Sequence, residues 1–555
     1  MCGIFGVVEL TSSPLPLAQW FQDCYEMAHR GPDNTYFETY QNVIVGFHRL
    51  AIMDDTFHSN QPFILEDEQR TVIFICNGEI YNFKDLIELH SLRSIKNDCM
   101  VIPEIYMKLA RQGREHEFQM NIKHRVKGEY AFVLFEFDRL KNLKKVIACR
   151  DEIGIRPLYT NEKKDILVFT SELKGALHYP DSMIEFPPGT MNVYHMNEFG
   201  LVEVEALSCR TLENIIMIPE KDHLKDVRIA VMNSVRRRLA ADKPIAWLLS
   251  GGVDSSLVAA LSAKMLGKSI RTFCCGMNEG TDLAYANQVA QHIHSNHSEV
   301  HFTPEEGLKA IHDVIRTIES WDTTTVRASV GQYIVSNFIG TSTDCKVVMV
   351  GEGPDEVCSS YLFNWYAPSG EALDVSAKEY VKNIHYYDVK RADRCIARWG
   401  LEGRVPLLDP EFIKAYWSIP AEQRMPTYKG MEKWWLREAF AGTGLLPDEV
   451  LWRKKEAFSD GVSGQKSWFQ IIQDWVADKV TDEELAAAEQ TYPYCTPTTK
   501  EAYYYRKVFC AYFGEHRQSV IPGYWQPKWS ANGQEVKGYI DPSARVLSVY
   551  SGKSE

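Results

Sequence analysis

The chain has 555 residues, 45% hydrophobic and 24% charged, a balance that excludes collagen-like, low-complexity and wholly disordered proteins. That length allows about three to five domains or two large ones. With 61 basic against 74 acidic residues the net charge is −13, so the surface repels a phosphate backbone and no nucleic-acid partner is expected. The thirteen cysteines are scattered, with no C-x-x-C pair, which argues against both a zinc ribbon and a disulfide framework. No apolar run reaches the ~18 residues of a membrane span. The start lacks the basic and apolar regions of a secretory leader, so a reducing cytoplasmic setting without a membrane partner is expected.

In chain order, the first part is rich in short β-like runs, at 42–46, 71–76, 131–137, 146–149 and 167–170. Turn signals such as Arg30-Gly31-Pro32-Asp33 and Phe186-Pro187-Pro188-Gly189 separate them. Beyond about 210 the pattern changes: Leu224, Val227, Val231, Val235 and Leu239 recur on one helix face. An apolar strand at 245–249, a Gly-rich turn and a helix at 255–265 follow, then buried strands at 271–276 and 346–350. Strands alternating with helices imply a parallel sheet covered on both faces. The expected organisation is 2–207 and 213–520 as two domains, with 521–555 an irregular tail.

Cys2 directly follows Met1, and a small second residue favours removal of the Met. One residue would then offer a thiol nucleophile and an α-amine with a pKa near ~8 to take its proton. Position alone leaves the alternative of a buried strand cysteine. The surroundings favour chemistry. Cys2-Gly3-Ile4-Phe5-Gly6, His29-Arg30-Gly31-Pro32-Asp33, His48-Arg49-Leu50, Asn77-Gly78-Glu79-Ile80-Tyr81-Asn82, Gly128-Glu129-Tyr130, Arg150-Asp151 and Ser171-Glu172-Leu173-Lys174 together resemble the class II glutamine amidotransferases. The resemblance implies that Cys2 attacks the glutamine amide to form a thioester and release ammonia. Asn77 and Gly78 would form the oxyanion hole. Arg49 would clamp the α-carboxylate, Leu50 would line the glutamine site, and Glu79 and Asp98 would hold the α-ammonium group.

Leu248-Leu249-Ser250-Gly251-Gly252-Val253-Asp254-Ser255-Ser256 lies between a strand and a helix, where small residues let backbone N–H groups reach phosphate oxygens. The Walker Gly-Lys-Ser/Thr is absent, and an Asp in its place suggests contact with the phosphates through Mg²⁺. The string resembles the pyrophosphate loop of synthetases that split ATP to AMP and pyrophosphate. A second loop, Gly351-Glu352-Gly353-Pro354-Asp355-Glu356, follows the 346–350 strand. If the two strands are neighbours, both loops meet at the carboxyl edge of the sheet and Asp254 and Asp355 form a pair of Mg²⁺ ligands.

Over nearly the whole chain these features look like the glutamine-hydrolysing asparagine synthetases. Asp322-Thr323-Thr324-Thr325-Val326-Arg327, Gly403-Arg404-Val405-Pro406, Trp452-Arg453-Lys454-Lys455-Glu456, Phe458-Ser459-Asp460-Gly461 and Asp541-Pro542-Ser543 extend the match. The resemblance implies an α+β N-terminal nucleophile hydrolase domain, with stacked antiparallel sheets between helices, followed by an α/β doubly wound parallel-sheet synthetase domain. It implies glutamine, aspartate and ATP as substrates, a β-aspartyl-AMP intermediate, ammonia carried through an internal tunnel, and a homodimer. Lys455 would neutralise phosphate charge, Thr324 and Arg327 would contact the phosphates or intermediate, and Glu352 would act as base on ammonia. Leu248, Ser250, Gly251, Gly252, Asp254, Ser255, Ser256, Val350 and Gly351 would form the ATP site.

The chain departs from the family pattern at Val350, Pro354, Ser359-Ser360 and Trp365-Tyr366. Three readings therefore stand: an asparagine synthetase with a variant loop, the same mechanism on another carboxylate, or a glutaminase or interaction paralogue with an impaired second half. His292, His294, His297 and His301 read as a helix end and strand rather than a metal site, and Arg236-Arg237-Arg238 as the wet face of a helix.

Overall fold

The computed structural model describes residues 1–10, 15–93, 95–161, 163, 165–197, 200–277, 280–455 and 466–538, without the side chains of 201 and 202. The motif residues Glu456, Phe458 to Gly461 and Asp541 to Ser543, and the tail from 539, lie outside the described residues. The chain forms two compact units. One comprises Met1–Glu213 with the short returns Ala240–Lys243 and Ala397–Glu402; the other comprises Asn214–Leu239, Pro244–Ile396 and the rest from Gly403.

The first unit is built on two six-stranded sheets. In spatial order one runs Ile184–Glu185, Tyr159–Thr160, Ile166–Thr170, Gly3–Glu9, Val43–Arg49, Asn34–Tyr40. The other runs Gly200–Ser208, Thr190–Asn197, Leu143–Arg150, Gly128–Asp138, Arg70–Ile80, Phe63–Glu66. Neighbouring strands are antiparallel. Alternation along the strands sets the layers. Ile73, Ile75, Val133 and Phe135 pack with Ile4, Val45 and Phe169 between the sheets. Their neighbours Val72, Phe74, Cys76 and Phe132 face the opposite side, against Ile102, Ile105 and Tyr106 of helix Val101–Arg111. Helix Leu17–Tyr25 covers the outer face of the first sheet, where a Cβ on Gly46 would sit 2.4 Å from Cys24 Sγ. This is the expected helix–sheet–sheet–helix arrangement.

The second unit carries a five-stranded sheet in the order Asn296–His301, Arg271–Gly276, Ile245–Leu248, Val347–Met349, Glu402–Arg404. The first four strands pair in parallel. The chain enters at Ile245–Leu248, winds outward through helices Val253–Leu266 and Thr281–His292, then returns after helices Pro304–Ile318 and Thr323–Ser342 to the other side of its first strand. The switch point therefore falls between Ile245–Leu248 and Val347–Met349, and the loops after both strands open into one crevice. Short apolar strands separated by amphipathic helices made this unit readable; helix His223–Arg238 buries Val227, Val231 and Val235 as the spacing predicts.

One expectation needs correction. Arg237 and Arg238 are not a wet face: Arg237 bonds Asp409 and Glu411 at 2.8 Å each, and buried Arg238 bonds Asp409 at 2.7 Å. The segment 521–538 lacks regular helix and strand, yet it is anchored, because Trp525 and Trp529 pack into a core cluster with Phe363 and Leu373. His297 hydrogen-bonds Thr272 and Cys274, and among the described residues no group of three or more potential ligands is placed to hold a metal ion. All thirteen cysteines are free thiols, and among the described residues no helix is long and apolar enough to cross a membrane.

Candidate active sites

In the first unit, Cys2 leads into strand Gly3–Glu9, and its Sγ accepts a hydrogen bond from the Leu50 N–H at 3.4 Å. The peptide is fixed from behind by buried Arg30, whose Nε donates to the Cys2 carbonyl at 2.8 Å and whose guanidinium bonds Glu172 at 2.6 Å. Burial pushes the Glu172 carboxyl up, but Lys174, His29 and Arg30 outweigh it and hold Glu172 well below the usual carboxylate range. The 29–33 turn thus acts as scaffold: a Cβ on Gly31 would lie 2.3 Å from the His48 carbonyl, so only glycine permits this approach.

Met1 precedes Cys2 in the described chain, and its ammonium donates to the Leu401 carbonyl at 2.8 Å. Burial lowers that ammonium to a pKa of about 5 and pushes the Cys2 thiol up to about 11. With Met1 attached, Cys2 has no free amine and is a protonated thiol at neutral pH.

A cleft of about 350 Å³ opens on Cys2, lined by Arg49, Leu50, Gly78, Glu79 and Asp98 among others. Arg49 uses its guanidinium on the Thr56 carbonyl at 2.8 Å, Asn60 Oδ1 at 2.6 Å and the Asp54 carbonyl. Asp98 accepts from the Ile80 N–H at 2.6 Å, which seats its carboxylate beside the strand carrying Glu79. Asn77 is buried, and its Nδ2 has no hydrogen-bond partner among the described residues. A buried amide donor left unpaired is costly, so Asn77 keeps an unspent donor on the strand that carries Gly78 and Glu79, although Asn77 itself is not among the residues lining the cleft. Two contributors carry no sequence signal. Gln61 clamps the strand before Asn77 by exchanging hydrogen bonds with the Cys76 backbone at 2.6 and 3.1 Å, and Glu402 reaches the cleft from a distant segment.

The second unit holds a cleft of about 930 Å³ at the switch point. Of the residues expected there, Leu248, Ser250, Gly252, Asp254, Ser255, Gly351, Glu352, Asp355 and Lys455 line it. The two loops touch: a Cβ on Gly351 would stand 2.7 Å from the Ser255 nitrogen. Gly251 sits at φ +73° against Tyr285, and the Ser250 and Ser255 hydroxyls meet at 3.0 Å, which folds the turn over the start of helix Val253–Leu266.

Lys433 was not found from sequence, yet it is central. Its Nζ bonds Asp254 Oδ2 and lies 2.6 Å from Asp355 Oδ1, while Lys455 bonds Asp355 Oδ2. Burial pushes the Asp355 carboxyl up, but Lys433 and Lys455 outweigh it and hold Asp355 far below the usual carboxylate range. Ser360, one of the variant positions, donates to Asp355 Oδ1 at 2.5 Å. Glu352 is raised by burial, opposed by Arg391 at 3.3 Å, and it accepts from Gln332 at 3.1 Å. Arg391, Lys433, Arg437, Arg453, Lys454 and Lys455 set six cations against four carboxylates, Asp254, Asp282, Glu352 and Asp355, in this cleft. A chain of net charge −13 thus keeps a locally cationic basin for an anionic ligand.

Five expected residues do not line the cleft. Gly251 is turned against Tyr285, while Ser256 and Val350 are buried in the sheet–helix packing. Thr324 keeps a buried hydroxyl without a partner among the described residues. Arg327, expected at the phosphates, makes a two-pronged ion pair with Glu501 at 2.8 and 2.5 Å and stacks over Phe469, because the buried Glu501 claims its charge.

A two-sheet sandwich with a cleft opening on Cys2, joined to a unit with a Gly-rich crevice at the switch point of its sheet, is the combination expected of a glutamine-dependent amidotransferase fused to an ATP-using synthetase. The family models agree: residues 1–215 match the glutamine amidotransferase domain, and 226–378 with 367–538 match asparagine synthase. The chain is 38% identical to the glutamine-hydrolysing asparagine synthetase of Gallus gallus, over 99% of each protein. It is 39% identical to those of Cricetulus griseus, over 100% of each, and Homo sapiens, over 99% of each. The chain belongs to the asparagine synthase family.

Proposed function

We propose that the chain makes asparagine from aspartate, ATP and glutamine by running two half-reactions. In the first, the Cys2 thiolate, freed of Met1, attacks the glutamine side-chain carbonyl. The Asn77 Nδ2 and Gly78 N–H groups receive the developing oxyanion, and ammonia leaves. Water then releases glutamate and restores Cys2. Arg49 holds the glutamine α-carboxylate, Leu50 packs beside it, and Glu79 with Asp98 holds the α-ammonium.

In the second, the aspartate side-chain carboxylate attacks the α-phosphorus of ATP, giving β-aspartyl-AMP and pyrophosphate. The 250–256 turn receives phosphate oxygens at a helix start. Lys433, Lys455, Arg437 and Arg453 supply positive charge to the departing pyrophosphate. Ammonia then displaces AMP to give asparagine, with Glu352 accepting the proton ammonia sheds. Thr324 and Arg327 serve this site from behind its lining.

Mg²⁺ fits the residues present. Asp254 Oδ1 is buried without a hydrogen-bond partner among the described residues, and Asp254 with Asp355 offers the hard oxygen donors that Mg²⁺ takes together with substrate phosphates. When bound there it supplies charge neutralisation of the phosphates. The expected domains, 2–207 for glutamine hydrolysis, 213–520 for synthesis and a tail at 521–555, belong to this reading. So do a cytoplasmic setting, a homodimer, and no nucleic-acid or membrane partner.

The observation that supports this most is that each cleft retains its reactive group with its charge partners in place. The test is pyrophosphate release with ATP, aspartate and ammonia. Release with aspartate supports the reading; release only with another carboxylate moves the acceptor, and none with any carboxylate leaves a glutaminase alone.

A further inference from the structure

Glu352 faces the synthetase crevice inside a small polar network whose other members have no role in the reaction above. Gln332, 1% exposed near the middle of helix Thr323–Ser342, lines the same crevice. Its Nε2 donates to Glu352 Oε1 at 3.1 Å, and its Oε1 accepts from Arg391 Nη1 at 2.7 Å. Chemistry fixes this orientation. Arginine only donates, so the amide oxygen must face it and the amide nitrogen must face the carboxylate.

Arg391, on helix Asp388–Ala397, is held mainly by partners other than Glu352. Its contacts with Gln332 at 2.7 Å and Asp388 Oδ1 at 2.6 Å are both shorter than its 3.3 Å contact with Glu352 Oε1. Gln332 and Arg391 both meet Glu352 at Oε1, and neither contact occupies Oε2. A guanidinium free to close on a carboxylate grips both oxygens. Here the Gln332 amide takes one of its donors instead.

We propose that Gln332 is a positioning residue for Glu352, a wedge that holds the carboxylate at one oxygen and keeps Arg391 from gripping both. The inference rests on the reading of Glu352 as the base of amide formation. In that step the ammonia nitrogen bonds to the β-carbonyl carbon of aspartyl-AMP, and the carbon–oxygen bond to the phosphate breaks. AMP leaves with that electron pair, and Glu352 takes one proton from nitrogen, so a carboxylate becomes a carboxylic acid. A carboxylate gripped at both oxygens by arginine would take that proton poorly. Burial raises the Glu352 carboxyl against the opposing charge of Arg391, and the looser 3.3 Å contact favours burial in that contest. Asp388 adds to the rise from the helix that carries Arg391, and the Cys395 thiol of that helix is itself pushed up to about 12 by burial. Asp254, Asp355, Lys433 and Lys455 also line the crevice and pair with one another.

The test compares the full-length protein with two variants. Gln332→Met keeps the length of the side chain and removes both hydrogen bonds; Gln332→Glu keeps the acceptor for Arg391 and loses the donor to Glu352. Aspartate-dependent exchange of pyrophosphate into ATP reads adenylation alone. Asparagine formation from ammonia, counted as free base at each pH of a series, reads the whole reaction. The Met variant should keep exchange and make asparagine about tenfold more slowly or worse, with the acid limb of the profile moved to lower pH. The Glu variant should move that limb to higher pH, because a second carboxylate then lies beside Glu352. Exchange and asparagine formation lost together in both variants would make Gln332 structural only and overturn the inference, as would acid limbs that do not move. Glu352→Gln tests the underlying reading separately: asparagine formed at the parent rate would remove Glu352 as the base.

Discussion

Lys433 Nζ stands between Asp254 and Asp355, bonded to the first and 2.6 Å from Oδ1 of the second, and so ties the two loops of the synthetase crevice together. Both carboxylates follow parallel strands, and their mutual repulsion would spread the loops without this shared cation. In the proposed reaction the same ammonium would meet phosphate oxygens of ATP in this cleft. One buried side chain therefore links the stability of the crevice to its chemistry.

Lys433→Met should cost about 3–5 kcal/mol of stability, because it strands buried charge, and should reduce ammonia-dependent pyrophosphate release by about 100-fold or more. Glutaminase activity should remain. Chemical denaturation and the two assays run side by side check this; a variant with normal pyrophosphate release would remove Lys433 from the mechanism.

The depressed Asp355 carboxyl fixes the sign of the acid response. Its folded pKa lies far below the ordinary value of 3.8, so the pairing stabilises the protein fully above that value. That contribution is lost as pH falls below about 4. A Lys433→Met chain should show a shallower decline of stability below that pH than the parent, measured by denaturation at a series of acid pH values.

Much of the architecture was readable because its signals are local. The alternation of Val72, Ile73, Phe74 and Ile75 fixes two faces of one strand, and the Gly-rich 250–252 turn marks the crevice. The glutamine cleft was also legible, since Cys2, Arg49, Gly78 and Glu79 each sit in a short motif. What could not be read was long-range pairing. Lys433 approaches its site from a segment whose own neighbours carry no pattern, Glu402 reaches the glutamine cleft from beside a motif that gives no sign of it, and Arg327 is drawn to Glu501, 174 positions away. Arg237 and Arg238 look like solvent charges until Asp409 is folded against them.

Retaining Met1 should silence glutamine hydrolysis while leaving ammonia-dependent synthesis intact, because Cys2 then lacks its amine and its thiol is raised to about 11. The buried Met1 amine, lowered to about 5, binds fewer protons folded than unfolded between that pH and its ordinary 8.0. A Met1-retaining chain should therefore lose stability as pH falls from 8 toward 5, by about 4 kcal/mol at ~1.4 per unit, and a processed chain should not lose this increment. Mass spectrometry of the N-terminus with melting at several pH values checks it.

Asn77→Ala should cut glutaminase turnover by about 100- to 1,000-fold, as loss of one oxyanion donor does, with ammonia-dependent synthesis preserved. Arg49→Lys keeps the charge but not the two-pronged grip, so glutamine KM should rise about tenfold or more, near 1.4 kcal/mol. Steady-state kinetics with glutamine and with ammonia distinguish these two effects.

The most direct measurement mixes the purified protein with ATP, Mg²⁺, aspartate and glutamine and counts the products. The account predicts asparagine, glutamate, AMP and pyrophosphate formed together, with asparagine, AMP and pyrophosphate in equal amounts. Glutamate formed without pyrophosphate, or an amide of some other acid in place of asparagine from a mixed panel, would contradict it.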